Sequence, residues 1–148
     1  MKASNTLFSA LVISAALTAH AVAGPAVTVT FKNMGTASAT YKVLTNNEAL
    51  TKTNANPQPV AVVPAGEIDL YKIQSNQSPL VNYANLRYTI GGKTCVFLAT
   101  YVSTVGPGGS SIPKWNNTAT PSGGANCTAK VTSTNLSTYE WAVEFTMK

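Results

Sequence analysis

The sequence predicts an all-β protein: a small antiparallel β-sandwich or jelly roll of about eight strands held by one disulfide. Three observations predict it. Apolar and polar residues alternate with period two through most of the chain after residue 24, the spacing of a strand with one buried face. Turn signals punctuate that alternation about every eight to twelve residues, as in sandwiches. Two cysteines, Cys95 and Cys127, follow an N-terminal export signal. An even count in an oxidising compartment predicts that they pair.

The export signal comes first in the chain. Met1-Lys2 is a positive start, residues 7–18 (LFSALVISAALT) are an apolar run, and Ala21-Val22-Ala23 offers the A-x-A cleavage pattern before Gly24-Pro25. The run is shorter than the roughly 20 residues that cross a bilayer. Residues 1–23 therefore read as a secretory signal peptide and 24–148 as a single domain, long enough for one core. Cleavage after Ala21 fits the same pattern through Ala19. The expected location is secreted or periplasmic.

Each later element follows from parity or punctuation. In AVTVTFK, Val27, Val29 and Phe31 share a face. In ASATYKV, Ala37, Ala39, Tyr41 and Val43 share one, and the turn NMGT between them predicts a hairpin. Residues 48–59, polar and ending in two prolines, read as a loop. VAVVPAGEIDLYKI reads as two short strands around Pro64-Ala65-Gly66, with Ile68 and Leu70 inward and Glu67, Asp69 and Tyr71 outward. After a loop at 74–79, NYANLRYTIGGKTCVFLATYV reads as a hairpin. It turns at Gly91-Gly92, where both residues are expected at positive φ. Its second arm is apolar on both faces (Cys95, Phe97, Ala99 and Tyr101 against Val96 and Leu98), which predicts a central, doubly covered strand. The last hairpin is CTAKVTS with TYEWAVEFTM, and Tyr139, Trp141, Val143, Phe145 and Met147 share its inner face. Between these hairpins, residues 103–126 hold five glycines and three prolines and read as a long loop inside the Cys95–Cys127 span. Loops that long in a compact domain usually carry function.

Composition narrows the chemistry. The single histidine, His20, leaves with the signal peptide. That removes Ser-His-Asp and Cys-His catalysis and the preferred zinc and copper ligand. Paired cysteines hold no metal, and five acids without a D-x-D-x-D run do not suit calcium. No metal or cofactor is expected. Residues 24–148 carry nine basic against five acidic residues, net +4. The lysines are scattered and arginine occurs once, which argues against nucleic acid. Ser111-Ile112-Pro113-Lys114 matches S-x-x-K, but Pro113 and the glycines before it oppose the helical turn the motif needs. Gly106-Pro107-Gly108-Gly109 lacks the following Lys-Ser/Thr and helix of a phosphate loop. Glu67 and Asp69, about 7 Å apart on an extended strand, have the spacing of an inverting glycosidase pair. Solvated strand faces commonly carry such pairs too. Asn76, Asn116, Asn126 and Asn135 begin N-x-[ST] sequons that matter only in a eukaryotic secretory route.

The function expected from these features is non-catalytic binding by an exported protein. Its ligand would be a cell-surface glycan, a lipid headgroup or another exported protein, with peripheral membrane contact among the options. The expected contact is the 103–126 segment, with Trp115 as anchor, Lys114 as its charged neighbour, Ile112 beside them and outward Tyr71 as a further surface. A second reading is a structural or inhibitory subunit that pairs through an open sheet edge, with EWAVEFTMK as the candidate edge. A third is a histidine-free glycosidase using Glu67 and Asp69. The export reading predicts that intact mass of the protein from its native host starts at Gly24 or Val22, and a mass retaining Met1 to Ala21 contradicts it.

Overall fold

The inner face of the first strand decides where everything else packs. The computed structural model describes residues 23–148; the signal peptide read at residues 1–23 lies outside the described residues except for Ala23. The strands in chain order are β1 (Val27–Asn33), β2 (Ala39–Lys42), β3 (Ala55–Asn56), β4 (Val62–Val63), β5 (Ile68–Ile73), β6 (Val81–Ile90), β7 (Lys93–Val105), β8 (Ser111–Ser122), β9 (Cys127–Thr134) and β10 (Trp141–Met147). A helix, α1 (Asn46–Thr53), lies between β2 and β3. One sheet has the order β3-β5-β1-β10-β9 and the other β4-β2-β6-β7-β8. This is the expected sandwich, with ten strands where about eight were expected.

Alternation fills the space between the sheets. Val27, Val29 and Phe31 from β1 and Val143, Phe145 and Met147 from β10 face Leu86, Tyr88, Phe97 and Tyr101 from β6 and β7, all buried. Phe31 stacks on Tyr88 with centroids 3.5 Å apart, and Phe97 on Phe145 at 4.7 Å, so aromatic pairs join the sheets. Tyr71 and Tyr88 also cross the core through their hydroxyls, 3.1 Å apart. Burial raises both phenols above their ordinary range and pushes Tyr41 up to about 12, so these hydroxyls stay protonated. Cys95 on β7 and Cys127 on β9 form the disulfide, Cα atoms 5.8 Å apart, tying one sheet to the other. Beside it, the Asn117 amide of β8, oriented to satisfy both partners, donates to Ala129 O at 2.8 Å and accepts from Val131 N at 3.3 Å. One side chain thus satisfies backbone groups on the free edge of β9.

Several sequence expectations are corrected. β1 and β2 do not form a hairpin; they belong to different sheets. Buried Asn33 turns the chain over: its Oδ1 accepts from Gly35 N, and its Nδ2 donates to Ala37 O, Val63 O and Pro64 O. The alternation in β5 is reversed. Ile68 and Leu70 are 58% and 55% exposed, whereas Tyr71 is 2% exposed and Asp69 is buried. Tyr71 and Ile73 together bury more apolar surface than Ile68 and Leu70, and a one-residue choice of face moves the whole set. The run 48–59 is not all loop. Thr45 caps α1, accepting from Glu48 N at 3.2 Å, while the Glu48 carboxylate accepts from Thr45 N and Leu44 N. The signature T-x-x-E at 45–48 was readable and the polar composition hid it. Glu48 is fully buried and also accepts from Arg87 Nε at 2.9 Å. Thr51 of the same helix accepts from Asn85 N, so α1 covers the edge of β6 where β2 has ended.

The 103–126 segment is largely not a loop either. β7 continues to Val105, a short turn follows, and β8 pairs with β7 from Ser111 to Ser122. Alternating Ile112, Lys114, Asn116 and Thr118 against Pro113, Trp115, Asn117 and Ala119 is a strand pattern that the flanking glycines and prolines obscured. β7 is central in its sheet, as expected, but Val96 and Leu98 on its outer face are only half-buried. At the β6–β7 turn only Gly91 is at positive φ, 56°, the requirement of a II′ turn. β10 is not an edge: it lies between β1 and β9 and runs parallel to β1 over seven residues.

Buried Asp69 yields a test. Its carboxylate accepts from Val60 N at 2.9 Å, yet burial raises its pKa above the ordinary value. A raised native pKa means that the folded state binds more protons than the unfolded one, so this group's stabilisation is present below about pH 4 and is lost as pH rises through the native pKa. Asp69→Asn keeps an acceptor for Val60 N without the charge. Urea unfolding across pH 3–8 should show the variant gaining on wild type above about pH 4; a difference that shrinks with rising pH contradicts this.

Candidate functional site

Because β1 and β10 are parallel, both enter the sheet at the same end of the sandwich. Val27 pairs with Trp141, and Trp141 N donates to Ala26 O at 3.2 Å. The segment before β1 is locked to the β5–β6 loop: Gly24 N donates to Ser75 O at 2.8 Å and Gln74 Nε2 to Gly24 O at 2.9 Å. A Cβ on Gly24 would lie 2.8 Å from both Ser78 O and Val81 O, so only glycine permits this approach. Asn82 secures the same corner, donating to Pro25 O and Ile73 O. Above these residues opens a cleft of about 570 Å³, lined from both sheets by Gln74, Tyr101, Ser103, Ser111, Tyr139 and Glu140 among others.

The cleft has an aromatic wall. Tyr101 of β7 is fully buried; Tyr139 stacks on it with centroids 5.8 Å apart, and Trp115 of β8 packs against it at 5.8 Å. Tyr101 Oη and Trp115 Nε1 are buried without a hydrogen-bond partner. The Ser103 and Ser111 hydroxyls bond to each other across β7 and β8. Tyr139 holds φ at 60°, a conformation that costs a non-glycine residue about 1 kcal/mol or more. The β9–β10 loop enforces it. Asn135 N donates to Glu140 O, Asn135 Oδ1 accepts from Ser137 N and Thr138 N, and Glu140 N donates to Thr138 Oγ1. Strain of this kind concentrates where a side chain must be presented in one direction.

Three connections, with the strand ends beside them, surround the cleft: 74–81, 103–113 and 131–140. The one acidic or basic residue among them is Glu140. Each nevertheless exposes aliphatic side chains: Leu80 at 49%, Val105 at 78%, Ile112 at 48% and Leu136 at 72%. Charge begins at the border, with Lys114 on the outer face of β8 and the exposed Lys72–Glu140 pair at 3.1 Å. The opposite end carries Glu67, Lys93 and Lys148 near its turns. Four exposed aliphatic side chains at an end whose loops hold one ion-paired carboxylate, on a chain with net charge +5, are an uneven distribution of the kind that marks a contact surface.

The structure separates the residues singled out from sequence. Ile112 and Lys114 lie at the surface of this end. Trp115 points to the other face of β8, half-buried against Tyr101, and forms the support behind the cleft instead of standing out of a loop. Tyr71 is not a surface residue; it is in the core against Tyr88. Ser111 and Lys114 occupy opposite faces of a strand, which parts the S-x-x-K pair. Glu67 is exposed while Asp69 is covered and holds Val60 N, so the two do not present a matched carboxylate pair. Leu80 and Leu136 are not singled out by the sequence; Val105 falls within the expected 103–126 contact without being named, and Tyr139 is read only as an inner-face residue of the last hairpin. The available signal was aliphatic residues in three separated, charge-poor segments, which only the fold brings together.

No protein-family model and no curated protein matches the chain, so the site is read from its own chemistry. If Trp115 supports the cleft from behind, Trp115→Ala should lower unfolding free energy by about 2 kcal/mol or more, while Ile112→Ala and Lys114→Ala change it by no more than about 0.5 kcal/mol. Urea denaturation of the three variants checks this, and a neutral Trp115→Ala refutes it.

Proposed function

We propose that this is an exported, non-catalytic binding protein that docks on a membrane through these three loops, whose one charged residue, Glu140, is ion-paired to Lys72. The observation that carries the reading is the convergence of Leu80, Val105, Ile112 and Leu136, all exposed, at one end where Glu140 is the one acidic or basic residue in the loops that bear them. Of the ligand classes that suit an exported β-sandwich, a lipid surface accounts for these aliphatic side chains best. A glycan would require exposed aromatic platforms. Here Tyr101 is buried, Trp115 half-buried, and Tyr139 already stacked on one face. The disulfide agrees with an oxidising, non-cytosolic setting.

The magnitude suits reversible attachment. Removing a partly exposed Val, Leu or Ile from water contributes about 1 kcal/mol, so four give roughly 4–5 kcal/mol, close to the marginal anchoring of one acyl chain. Lys114 at the border, and the net positive charge, add attraction to anionic lipid.

A second reading, assembly through a sheet edge, has one observation in its favour. β3 pairs with β5 only at Lys72 and Ile73, leaving Ile68 to Tyr71 without a strand on that side and with Ile68 and Leu70 exposed. A single experiment distinguishes the two surfaces. Vesicle co-sedimentation should fall at least about tenfold for Val105→Asp/Leu136→Asp, since a charge replaces each inserted side chain, and stay within about twofold for Ile68→Thr/Leu70→Thr. Equal binding by wild type and the aspartate variant overturns membrane docking through these loops.

A further inference from the structure

We propose that the cleft inside the three loops receives the headgroup of a zwitterionic phospholipid, with the ammonium against Glu140 and Tyr139. This rests on the membrane-docking reading and adds a ligand class to it. The cleft, about 570 Å³, is within the size range of small-molecule sites. It lies between the loops that would meet the bilayer, with Leu80, Ser103, Ser111 and Thr138 from those loops in its lining. Among the described residues lining it, Glu140 is the one acidic or basic residue, and its ion-pair partner Lys72, 3.1 Å away, is not in the lining. A pocket built for an anion would reverse that balance.

The remaining lining suits the same ligand. A quaternary or primary ammonium is attracted by the face of an aromatic ring and by a carboxylate, and here the two come from adjacent residues. Tyr139 is held in position by its backbone at φ 60° and by stacking on Tyr101, so its ring needs little ordering on binding. Lys72, ion-paired to Glu140 at 3.1 Å, lies outside the cleft lining and is the partner that the incoming ammonium would replace. That pair is about half exposed on both sides, and such pairs contribute little to stability, so exchanging partners with a zwitterion costs little. Ser103, Ser111 and Thr138 add hydroxyls for the phosphate and ester oxygens.

The test compares vesicles of phosphatidylcholine, phosphatidylethanolamine and phosphatidylglycerol at about 0.5 M salt, where the Debye length falls to roughly 4 Å and general attraction to anionic lipid is screened. The protein should bind the two zwitterionic lipids about fivefold or more tighter than phosphatidylglycerol, since one cation–π contact with a carboxylate contributes about 1 kcal/mol. Soluble phosphocholine should compete. Glu140→Gln and Tyr139→Gly should erase the preference while weaker, headgroup-blind vesicle binding persists. Tyr139→Phe should keep it, and its thermal midpoint with those of the other two variants separates loss of ligand from loss of fold. Vesicle binding that ignores headgroup, or no competition by phosphocholine, overturns this inference and leaves membrane docking standing. Phosphocholine binding without vesicle binding overturns docking and leaves the ammonium site.

Discussion

The parallel pairing of β1 with β10 is the constraint from which the rest of the molecule follows. It places the first and last strands side by side in the middle of one sheet, Val27 against Trp141 and Asn33 against Met147. Both strands therefore start at the same end. The chain before β1 and the hairpin loop before β10 must share that end, and the β5–β6 loop is drawn onto it through Gly24. An antiparallel arrangement would put the β9–β10 loop at the far end and leave Tyr139 and Glu140 away from Tyr101. The cleft is thus a consequence of strand direction, before any side chain is considered.

Polar side chains then set where the sheets stop. Asn33 and Asn82 are buried and bond to backbone carbonyls from neighbouring elements, each fixing a place where the chain passes from one sheet to the other. Glu48 and Arg87, the chain's lone arginine, hold α1 against β6. Removing either partner would strand a charge in a covered site, a loss of about 3–5 kcal/mol. These contacts satisfy backbone groups that a wider sheet would otherwise have to pair, and they do so without adding hydrophobic surface.

Much of the architecture was legible in sequence because alternation reports burial directly. Val27-Val29-Phe31, Leu86-Tyr88 and the Trp141-to-Met147 series each lie on the face their spacing implies. Cys95 and Cys127 were expected to pair and do. The failures have physical causes. In β5 both parities are apolar, so Ile68 and Leu70 compete with Tyr71 and Ile73, and only the size of the facing cavity decides. In β8 the turn-forming residues at its ends concealed a regular strand. The partner of β1 could not be found locally, since Trp141 is more than a hundred residues away. For the site, Ile112 and Lys114 were identified at the surface, but Leu80 and Leu136 join them only through the fold. No local pattern encodes that convergence.

The covalent link lies away from the cleft. Cys127 pairs in register with Met147, whereas the loops gather around Trp141 at the start of the same strand. The molecule therefore has a clamped pole and an unclamped one. The crosslink fixes the half that holds Met147, while the end around Trp141 is held by hydrogen bonds without a crosslink. Reduction of the bond acts at the other pole, so it would loosen the scaffold first and reach the binding end only as the sheets separate.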